Sequence, residues 1–246
     1  MRRLRLLKFY VNLYLYAITQ KPHRKDDCMN PKYKAVFFDF DGTIADTGDG
    51  IFHSVKYAIK ESGFPPISDA KLRTFIGPPI FDSFKRELNM NDEQSAFAVM
   101  KYREEYGRNG IFRFTLYDGT EELLRELKSS GVCTAVASSK PFNYILRIID
   151  YLNFGDLIDF ISCPLSDKAS ESKVVLVNRC IEHFEVEKHE AVMVGDRYFD
   201  INGANGAGIK SIGVTYGYGD EKELSNAGAT HIAHNTDEVR AFIFQD

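Results

Sequence analysis

Short apolar runs recur along this chain, and helical patterns separate them. The clearest run, Lys34–Phe38, ends abruptly in a polar stretch, Asp39–Thr43. A short run rich in β-branched and aromatic residues that ends in turn residues is typical of a buried strand. Strands that alternate with helices favour an α/β fold, in which helices cover both faces of a parallel sheet. The other predicted strands are 132–137, 160–163, 191–194 and 211–214.

One stretch of the chain interrupts this alternation. Residues 49–115 show helical spacing only, and glycine and proline punctuate them. Three sets of apolar residues indicate the helices: Ile51, Val55, Ala58 and Ile59; Phe81, Phe84 and Leu88; Phe97, Met100 and Tyr106. We therefore predict three segments: an N-terminal extension at 1–28, an α/β core at 29–48 and 116–246, and a helical insert at 49–115.

The N-terminal extension differs in charge from the rest of the chain. It carries seven Lys/Arg residues against two aspartates, whereas 24 basic residues face 33 acidic ones from Met29 onward. Its apolar stretch is interrupted by Lys8 and Asn12 and is too short to span a bilayer, so we expect no stable membrane insertion. We expect the extension to be a disordered tail or to precede the true start, with the working protein beginning near Met29.

The acidic balance and the cysteines argue against several classes of protein. A nucleic-acid-binding domain needs a basic face to neutralise phosphates, so an acidic body favours no nucleic-acid partner. The cysteines show neither CxxC pairing nor zinc-type spacing, which indicates small core residues in a reducing compartment, and we expect a cytoplasmic location. The four cysteines are Cys28, Cys133, Cys163 and Cys180.

Two aspartates directly follow the first predicted strand. Asp39 and Asp41 lie two residues apart, so strand alternation places their side chains on the same side. Carboxylates this close raise each other's pKa unless a cation lies between them. Gly42 permits a sharp turn, and Thr43 offers a hydroxyl to an anion. Ligands of open α/β sheets bind beyond the carboxyl ends of the strands, so a site is expected at this position.

A second acidic motif follows another predicted strand. Asp196 lies at the strand end, and Asp200 lies four residues on, where the next helix begins. Carboxylates at the ends of two neighbouring strands make an oxygen-rich site, which suits Mg²⁺ better than zinc or copper. Helix capping is the competing explanation, and it applies better to Asp200 than to Asp196.

Hydroxyl and lysine side chains complete the candidate anion site. Ser138 and Ser139 follow a strand and precede Pro141, where a helix opens, so exposed N–H groups and a serine hydroxyl can bind phosphate. Simple N-capping by either serine is the competing explanation. A phosphate beside several carboxylates needs a cation besides the metal. We expect Lys173, at the start of a helix, to supply it, with Lys168 as the alternative.

These motifs, in this order, resemble those of the haloacid dehalogenase superfamily of phosphatases. The likeness covers roughly residues 33–244 and rests on DxDGT at Asp39–Thr43 and GDxxxD at Gly195–Asp200, each after a strand. The insert resembles the superfamily's first-type helical cap, and the chain is similar to phosphoglycolate-phosphatase-like and 5′-nucleotidase-like members. The resemblance implies a Rossmann-like α/β core with an inserted cap, and a Mg²⁺-dependent phosphatase that acts on a small phosphorylated metabolite.

The resemblance also implies catalytic and metal-binding roles. Asp39 is the nucleophile that attacks phosphorus, and Asp41 is the general acid and then the general base. Asp196 coordinates Mg²⁺ together with Asp39 and the backbone carbonyl of Asp41. Asp200 supports the metal shell, directly or through water.

Substrate binding is implied at the same edge of the sheet. By the resemblance, Ser138 and Lys173 bind the phosphoryl oxygens, and the residues themselves add Thr43 and Ser139 to this set. Two departures from the family pattern are present: Ser138 stands where threonine is common, and no proline follows Lys173. The serine keeps the hydroxyl, whereas the missing proline weakens the choice of Lys173 over Lys168.

Other functions fit the sequence less well. A phosphomutase of the same superfamily, similar to β-phosphoglucomutase, is the main alternative because it carries both aspartates and a cap. A dehalogenase lacks an acid two residues after its nucleophile, so Asp41 argues against it. A receiver domain has its phospho-acceptor on a later strand and carries no helical insert. An inactive binding module fits poorly because all four catalytic elements are intact. The choice between monomer and homodimer stays open.

Overall fold

The computed structural model of this chain describes residues 31–165 and 171–244. Its main feature is a six-stranded sheet in which paired strands are parallel, and a two-stranded antiparallel ribbon lies outside it. The elements in chain order are β1 Ala35–Phe38, β2 Ala45–Asp46, α1 Gly48–Glu61, α2 Asp69–Arg73, α3 Ile80–Leu88, α4 Asp92–Glu105, β3 Thr115–Leu116, α5 Thr120–Ser129, β4 Cys133–Ala137, α6 Phe142–Leu152, β5 Phe160–Ser162, α7 Lys173–Phe184, β6 Ala191–Gly195, α8 Tyr198–Ala207, β7 Lys210–Val214, α9 Glu221–Asn226, β8 His231–Ala233 and α10 Thr236–Phe244.

The strand order places the two acidic motifs side by side. The sheet runs β5-β4-β1-β6-β7-β8, so β1 lies between β4 and β6. In the register of these strands, Phe38 lies opposite Val136 on one side and Val194 on the other. Because the strands are parallel, their carboxyl ends lie along one edge, and the segments that follow β1, β4 and β6 meet there.

The sheet is buried on both faces. Val36 and Phe38 belong to an apolar cluster with α5, α6 and α10, whereas Ala35 and Phe37 belong to a second cluster with α7 and α8. Alternate residues of a strand face opposite sides, so an unbroken apolar run is what a strand covered on both faces requires. The predicted α/β fold, a Rossmann-like parallel sheet with helices on both faces, is confirmed.

The five predicted strands are present, and their ends differ by one residue from the prediction. For example, β5 ends at Ser162 instead of Cys163, and β7 begins at Lys210 instead of Ser211. The sequence pattern does not indicate β8. Its three residues, His231–Ala233, are too few to show the alternation that marks a strand.

The helical insert contains α1 to α4 and a π-helical turn, Tyr106–Gly110. The ribbon of β2 and β3 lies where the chain enters and leaves it, and pairs Ala45 with Leu116 and Asp46 with Thr115. The sequence pattern does not indicate this ribbon either. The division into a core at 29–48 and 116–246 and an insert at 49–115 stays a prediction.

Two of the three apolar residues that indicate the third helix of the insert do not lie on its buried face, whereas the third, Tyr106, is buried in the π-helical turn that follows. Phe97 and Met100 of α4 are 42% and 50% exposed, whereas Ser95, Ala98 and Val99 are buried. Small side chains on the buried face let two helices approach closely, and α4 packs against α1 in this way. The sequence therefore predicted the helix and not its orientation.

A close backbone contact joins α1 to the π-helical turn. A Cβ at Gly50 would lie 2.2 Å from the carbonyl oxygen of Gly110, and a backbone atom cannot rotate away. We expect Gly50→Ala to lower the free energy of unfolding by about 1–3 kcal/mol, measured by urea denaturation. Gly155→Ala is the matched control, because Gly155 is exposed and nothing lies within 4 Å of its Cβ position. Equal losses in the two variants would contradict this account of Gly50.

Two predictions concern residues outside the described ranges. These are the N-terminal extension at 1–28 and Lys168, the alternative to Lys173. Within residues 31–165 and 171–244, no helix combines the length and the apolar character needed to cross a membrane.

Candidate active site

The carboxyl ends of two neighbouring strands bring three aspartates together. Asp39 follows β1, Asp196 follows β6, and Asp200 lies in the first turn of α8. The strands are in register at Phe38 and Val194, and the N–H of Asp39 donates to the carbonyl oxygen of Val194 over 2.9 Å. One carboxylate oxygen from each aspartate lies within 4.8 Å of the other two, and all three residues are buried.

Lys173 is a buried cation at this cluster. It is the first residue of α7, a helix that the side chain of Ser172 caps. Its Nζ donates to Oδ1 of Asp39 over 2.9 Å and to the carbonyl oxygen of Ala137 over 3.0 Å, and lies 2.7 Å from Oδ1 of Asp200. Burial lowers the pKa of Lys173, but Asp200 and Asp39 outweigh it and the net pKa is raised. Lys173 is therefore charged at neutral pH.

The aspartates are close enough to disfavour one another's ionised form. Burial, opposed by Lys173 and reinforced by Asp200 and Asp41, raises the pKa of Asp39 to about 6. Burial, together with Asp200 and Asp39, raises the pKa of Asp196 well above its ordinary value. The single charge of Lys173 therefore does not balance the three carboxyl groups, and a further cation between them would relieve their repulsion.

The donor set fits a hard divalent cation. Four carboxyl groups lie against only two ammonium groups among the described residues here, which leaves an excess of negative charge. Oxygen ligands without nitrogen or sulfur suit Mg²⁺ better than zinc or copper. The residues that could hold the ion are Asp39, Asp196 and Asp200. A contribution from the backbone carbonyl of Asp41 stays a prediction.

Backbone groups approach Asp196 closely. The N–H of Tyr218 donates to its Oδ2 over 2.8 Å, and the hydroxyl of Thr43 lies 3.5 Å from its Oδ1. A Cβ would lie 2.1 Å from Oδ2 at Gly42 and 2.5 Å from it at Gly217, so both positions need glycine. Thr43 is buried against Asp196 and is not among the residues that line the cavity described below. Its proposed role in substrate binding stays a prediction.

Asp41 accepts hydrogen bonds from two side chains that no sequence motif indicates. The hydroxyl of Thr47 donates to its Oδ1 over 2.6 Å, and Nζ of Lys140 donates to its two oxygens over 2.8 and 2.9 Å. Lys140 is 7% exposed, and its Nζ lies 4.9 Å from the ring centre of Tyr106. The only sequence signal for Lys140 was its place beside the predicted serines, and that did not reveal its partner.

The two predicted serines have different surroundings. Ser138 is buried, and its hydroxyl accepts from the N–H of Lys140 over 3.3 Å, whereas Ser139 is exposed. Pro141 is the N-cap of α6 and no side chain caps this helix, so simple N-capping by a serine is wrong as an explanation. Both serines line the same cavity as Asp39, Asp41 and Asp200, and their role in phosphate binding stays a prediction.

A cavity of about 790 Å³ lies between the carboxyl edge of the sheet and the insert. Asp39, Asp41 and Lys173 line it from the sheet side. The insert lines it mainly with rings and apolar side chains, among them Phe75, Ile80, Phe81, Val99, Tyr102 and Tyr106. The cavity therefore has a charged end next to Asp39 and largely apolar walls beyond it.

Arg197 connects the second acidic motif to the insert. Its Nη1 donates to the carbonyl oxygen of Ile76 and its Nε donates to Glu223, each over 2.8 Å. Because Arg197 directly follows Asp196, hydrogen bonds link the insert to the segment that carries the second acidic motif.

Comparisons with known proteins agree with this geometry. The sequence model of the haloacid dehalogenase-like hydrolase family matches residues 36–214. The chain is 32% identical over 200 residues to a 5′-nucleotidase of Pseudomonas aeruginosa, covering 81% of this chain and 90% of that protein. It is also 32% identical over 208 residues to the tyrosine-protein kinase PtkA of Mycobacterium tuberculosis, covering 83% of this chain and 70% of that protein.

A solved structure extends the likeness to three dimensions. The crystal structure of a predicted phosphatase from Clostridium acetobutylicum matches with a TM-score of 0.78 and 36% identity, and covers 84% of this chain and 96% of that one. The family match includes both acidic motifs and the whole insert. The chain therefore belongs to the haloacid dehalogenase-like hydrolase family, and it is one of the phosphatases of that family.

Proposed function

We propose that this protein is a Mg²⁺-dependent phosphomonoester hydrolase that works through a phosphoryl group on Asp39. One observation carries the proposal. Asp39 lies beside the cavity, 2.9 Å from the ammonium group of Lys173 and next to Asp196 and Asp200. The proposed substrate is a small phosphorylated metabolite, and the proposed location is the cytoplasm.

The first step transfers the phosphoryl group to the enzyme. A carboxylate oxygen of Asp39 attacks phosphorus, and the bond between phosphorus and the leaving oxygen breaks. An ionised aspartate needs no activating base to be a nucleophile at neutral pH. Asp41 in its protonated form gives its proton to the leaving oxygen, so the products are a free alcohol and phosphorylated Asp39.

The second step releases phosphate. Asp41, now a carboxylate, takes a proton from water as the water oxygen attacks phosphorus. The bond between phosphorus and Asp39 breaks, inorganic phosphate departs, and Asp41 has regained its proton. The net reaction consumes one phosphomonoester and one water and leaves both aspartates as they began.

The other residues of the site neutralise the negative charge of the phosphate and of Asp39. A phosphate dianion and Asp39 repel each other, and Lys173 offsets part of this repulsion. Mg²⁺, when bound, would supply further positive charge to offset this repulsion. Asp39, Asp196 and Asp200 would hold the ion, and Ser138 and Ser139 would donate to the phosphoryl group.

The size of the cavity favours a substrate whose leaving group is larger than glycolate. Its volume of about 790 Å³ lies within the range of about 300–1,000 Å³ that is typical of sites for drug-sized ligands. Phe75, Phe81 and Tyr102 offer rings against which a planar group can pack. Between the two substrate types implied by the resemblance, these walls favour a 5′-nucleotidase-like activity over a phosphoglycolate-phosphatase-like one.

Hydrolysis of a panel of phosphomonoesters tests the proposal. We expect release of phosphate from p-nitrophenyl phosphate and from nucleoside 5′-monophosphates in Mg²⁺, with slower release from phosphoglycolate. Removing the metal with EDTA should lower the rate by at least about 100-fold, because the metal supplies several kcal/mol of charge stabilisation. Adding Mg²⁺ in excess of EDTA should restore the rate.

Circular dichroism in EDTA is the control, and it should show that the protein stays folded. Equal rates with and without EDTA would contradict metal dependence. Transfer of the phosphoryl group between positions of a sugar phosphate, with a sugar bisphosphate activator and without release of phosphate, would identify the alternative function, a phosphomutase. Faster hydrolysis of phosphoglycolate than of any nucleotide would reverse the substrate preference.

A further inference from the structure

The two buried lysines of the site contact different aspartates. Lys173 contacts Asp39 and Asp200, whereas the side chain of Lys140 bonds both oxygens of Asp41. Thr47 donates to Oδ1 of Asp41 as well. The Asp41 carboxylate thus accepts three hydrogen bonds, which restrict it to one orientation beside the cavity.

The surroundings of Lys140 join the sheet edge to the insert. Its ammonium group lies between the carboxylate of Asp41 and the ring of Tyr106, which begins the π-helical turn of the insert. Tyr106 is buried and packs edge-on against Tyr144 of α6 at 5.1 Å. A buried ammonium group is costly unless it is paired, so Lys140 depends on both Asp41 and the docked insert.

We infer that Lys140 is a positioning residue for Asp41, and this inference rests on the proposed function. When Asp41 is protonated, its carbonyl oxygen still accepts from Lys140, and this bond holds the carboxyl group where its other oxygen can give a proton to the leaving oxygen in the first step. In the second step the same carboxyl group takes a proton from the attacking water. Lys140 neither accepts nor donates a proton in this scheme, so the balance of atoms is that of the two-step hydrolysis above.

If Lys140 positions Asp41, the loss of kcat/KM in a Lys140 variant depends on the leaving group. Other roles of Lys140 would not produce this dependence. A p-nitrophenolate leaving group departs without protonation, whereas the leaving group of phenyl phosphate has a pKa of about 10, like tyrosine, and benefits from a proton. A lysine that binds the phosphoryl group, or one that only stabilises the fold, affects both substrates equally. The two esters have similar shape, so their comparison isolates proton transfer.

We expect Lys140→Met to lower kcat/KM for phenyl phosphate by about 100-fold, the loss that a misplaced catalytic group causes. For p-nitrophenyl phosphate the loss should be less than about 5-fold, because general acid catalysis contributes little there. Lys140→Arg keeps the positive charge and two donors, so it should recover part of the rate on phenyl phosphate. Thr47→Val, which removes the other donor to Asp41 with little change in volume, should show the same selective loss.

Lys101→Met is the matched control. Lys101 also pairs with a carboxylate, Glu104 at 3.3 Å, and lies near a ring, Phe97 at 5.8 Å, but on the outside of the insert. Its replacement should change kcat/KM for neither ester. Urea denaturation of each variant shows whether it is folded. If Lys140→Met does not fold, Thr47→Val still tests the inference.

Two results would overturn the inference. Equal losses on both esters would assign Lys140 to phosphoryl binding or to the fold, and unchanged rates on both would remove its role. If the wild-type protein hydrolyses neither ester in Mg²⁺, the proposed function fails, and this inference fails with it. If the wild type hydrolyses both esters and the variant shows no selectivity, the proposed function stands and only the inference is wrong.

Discussion

Asp39→Asn is expected to abolish phosphomonoester hydrolysis while the chain stays folded. The amide nitrogen and oxygen of asparagine cannot replace the carboxylate that attacks phosphorus, so the first step is lost. Loss of a nucleophile lowers kcat/KM on the order of 10⁴-fold or more. Steady-state hydrolysis of p-nitrophenyl phosphate in Mg²⁺ measures the loss, and residual activity near that of the wild type would show that Asp39 is not the nucleophile.

The same variant should not lose stability in metal-free buffer at neutral pH. Burial is the main cause that raises the pKa of Asp39 to about 6, above the ordinary 3.8 of the unfolded chain. A raised pKa favours folding only below the unfolded value, and that contribution is lost as the pH rises through 6. At pH 7 the ionised group therefore opposes folding, and the neutral amide removes this cost. Lys173 keeps Asp200 as a charged partner in this variant. Asp69→Asn is the control, because Asp69 is an exposed carboxylate paired with Lys56.

Lys173→Met is expected to cause the second large loss, in both turnover and stability. The side chain of Lys173 is 7% exposed and lies against Asp39 and Asp200, which would remain buried without their partner. Removing one member of a buried ion pair lowers the free energy of unfolding by about 3–5 kcal/mol. Urea denaturation in metal-free buffer measures this loss. Turnover should fall as well, because the charge that attracts the phosphoryl group is gone.

Mg²⁺ should restore part of the stability of Lys173→Met and little of its activity. A cation bound by the remaining aspartates offsets their repulsion, but it does not replace the ammonium group beside Asp39. Lys56→Met is the matched control, since Lys56 pairs with Asp69 at 3.4 Å on the exposed surface. Full activity in Lys173→Met would refute the proposed role of Lys173 and would leave Lys168 as the candidate phosphate-binding lysine.

The sequence alone locates both acidic motifs, because each follows an apolar strand in the chain. A residue that directly follows a parallel strand must lie at the carboxyl edge of the sheet, whatever else surrounds it. Asp39 and Asp196 were placed in this way, and they lie within reach of one ion. Lys173 was also chosen for its place at the start of a helix, and it contacts Asp39.

Residues whose role depends on a distant partner could not be found in the same way. Lys140 and Asp41 are 99 residues apart in the chain, and nothing near Lys140 indicates that its ammonium group is buried under Tyr106. The hydroxyl of Tyr218 bonds Asp46 across 172 residues, and its N–H bonds Asp196. These contacts connect the sheet edge to the start of the insert, and no local pattern encodes them.

Hydrophobic periodicity and the position of polar residues along the chain are therefore sufficient to predict five strands of the sheet and the two acidic motifs, because strand ends and helix starts are local properties. The orientation of α4, the ribbon of β2 and β3 and the partners of Asp41 followed only from the folded chain. They depend on which distant surfaces pack together, and side-chain size and hydrogen-bond geometry at those contacts choose among arrangements that the linear pattern leaves equal.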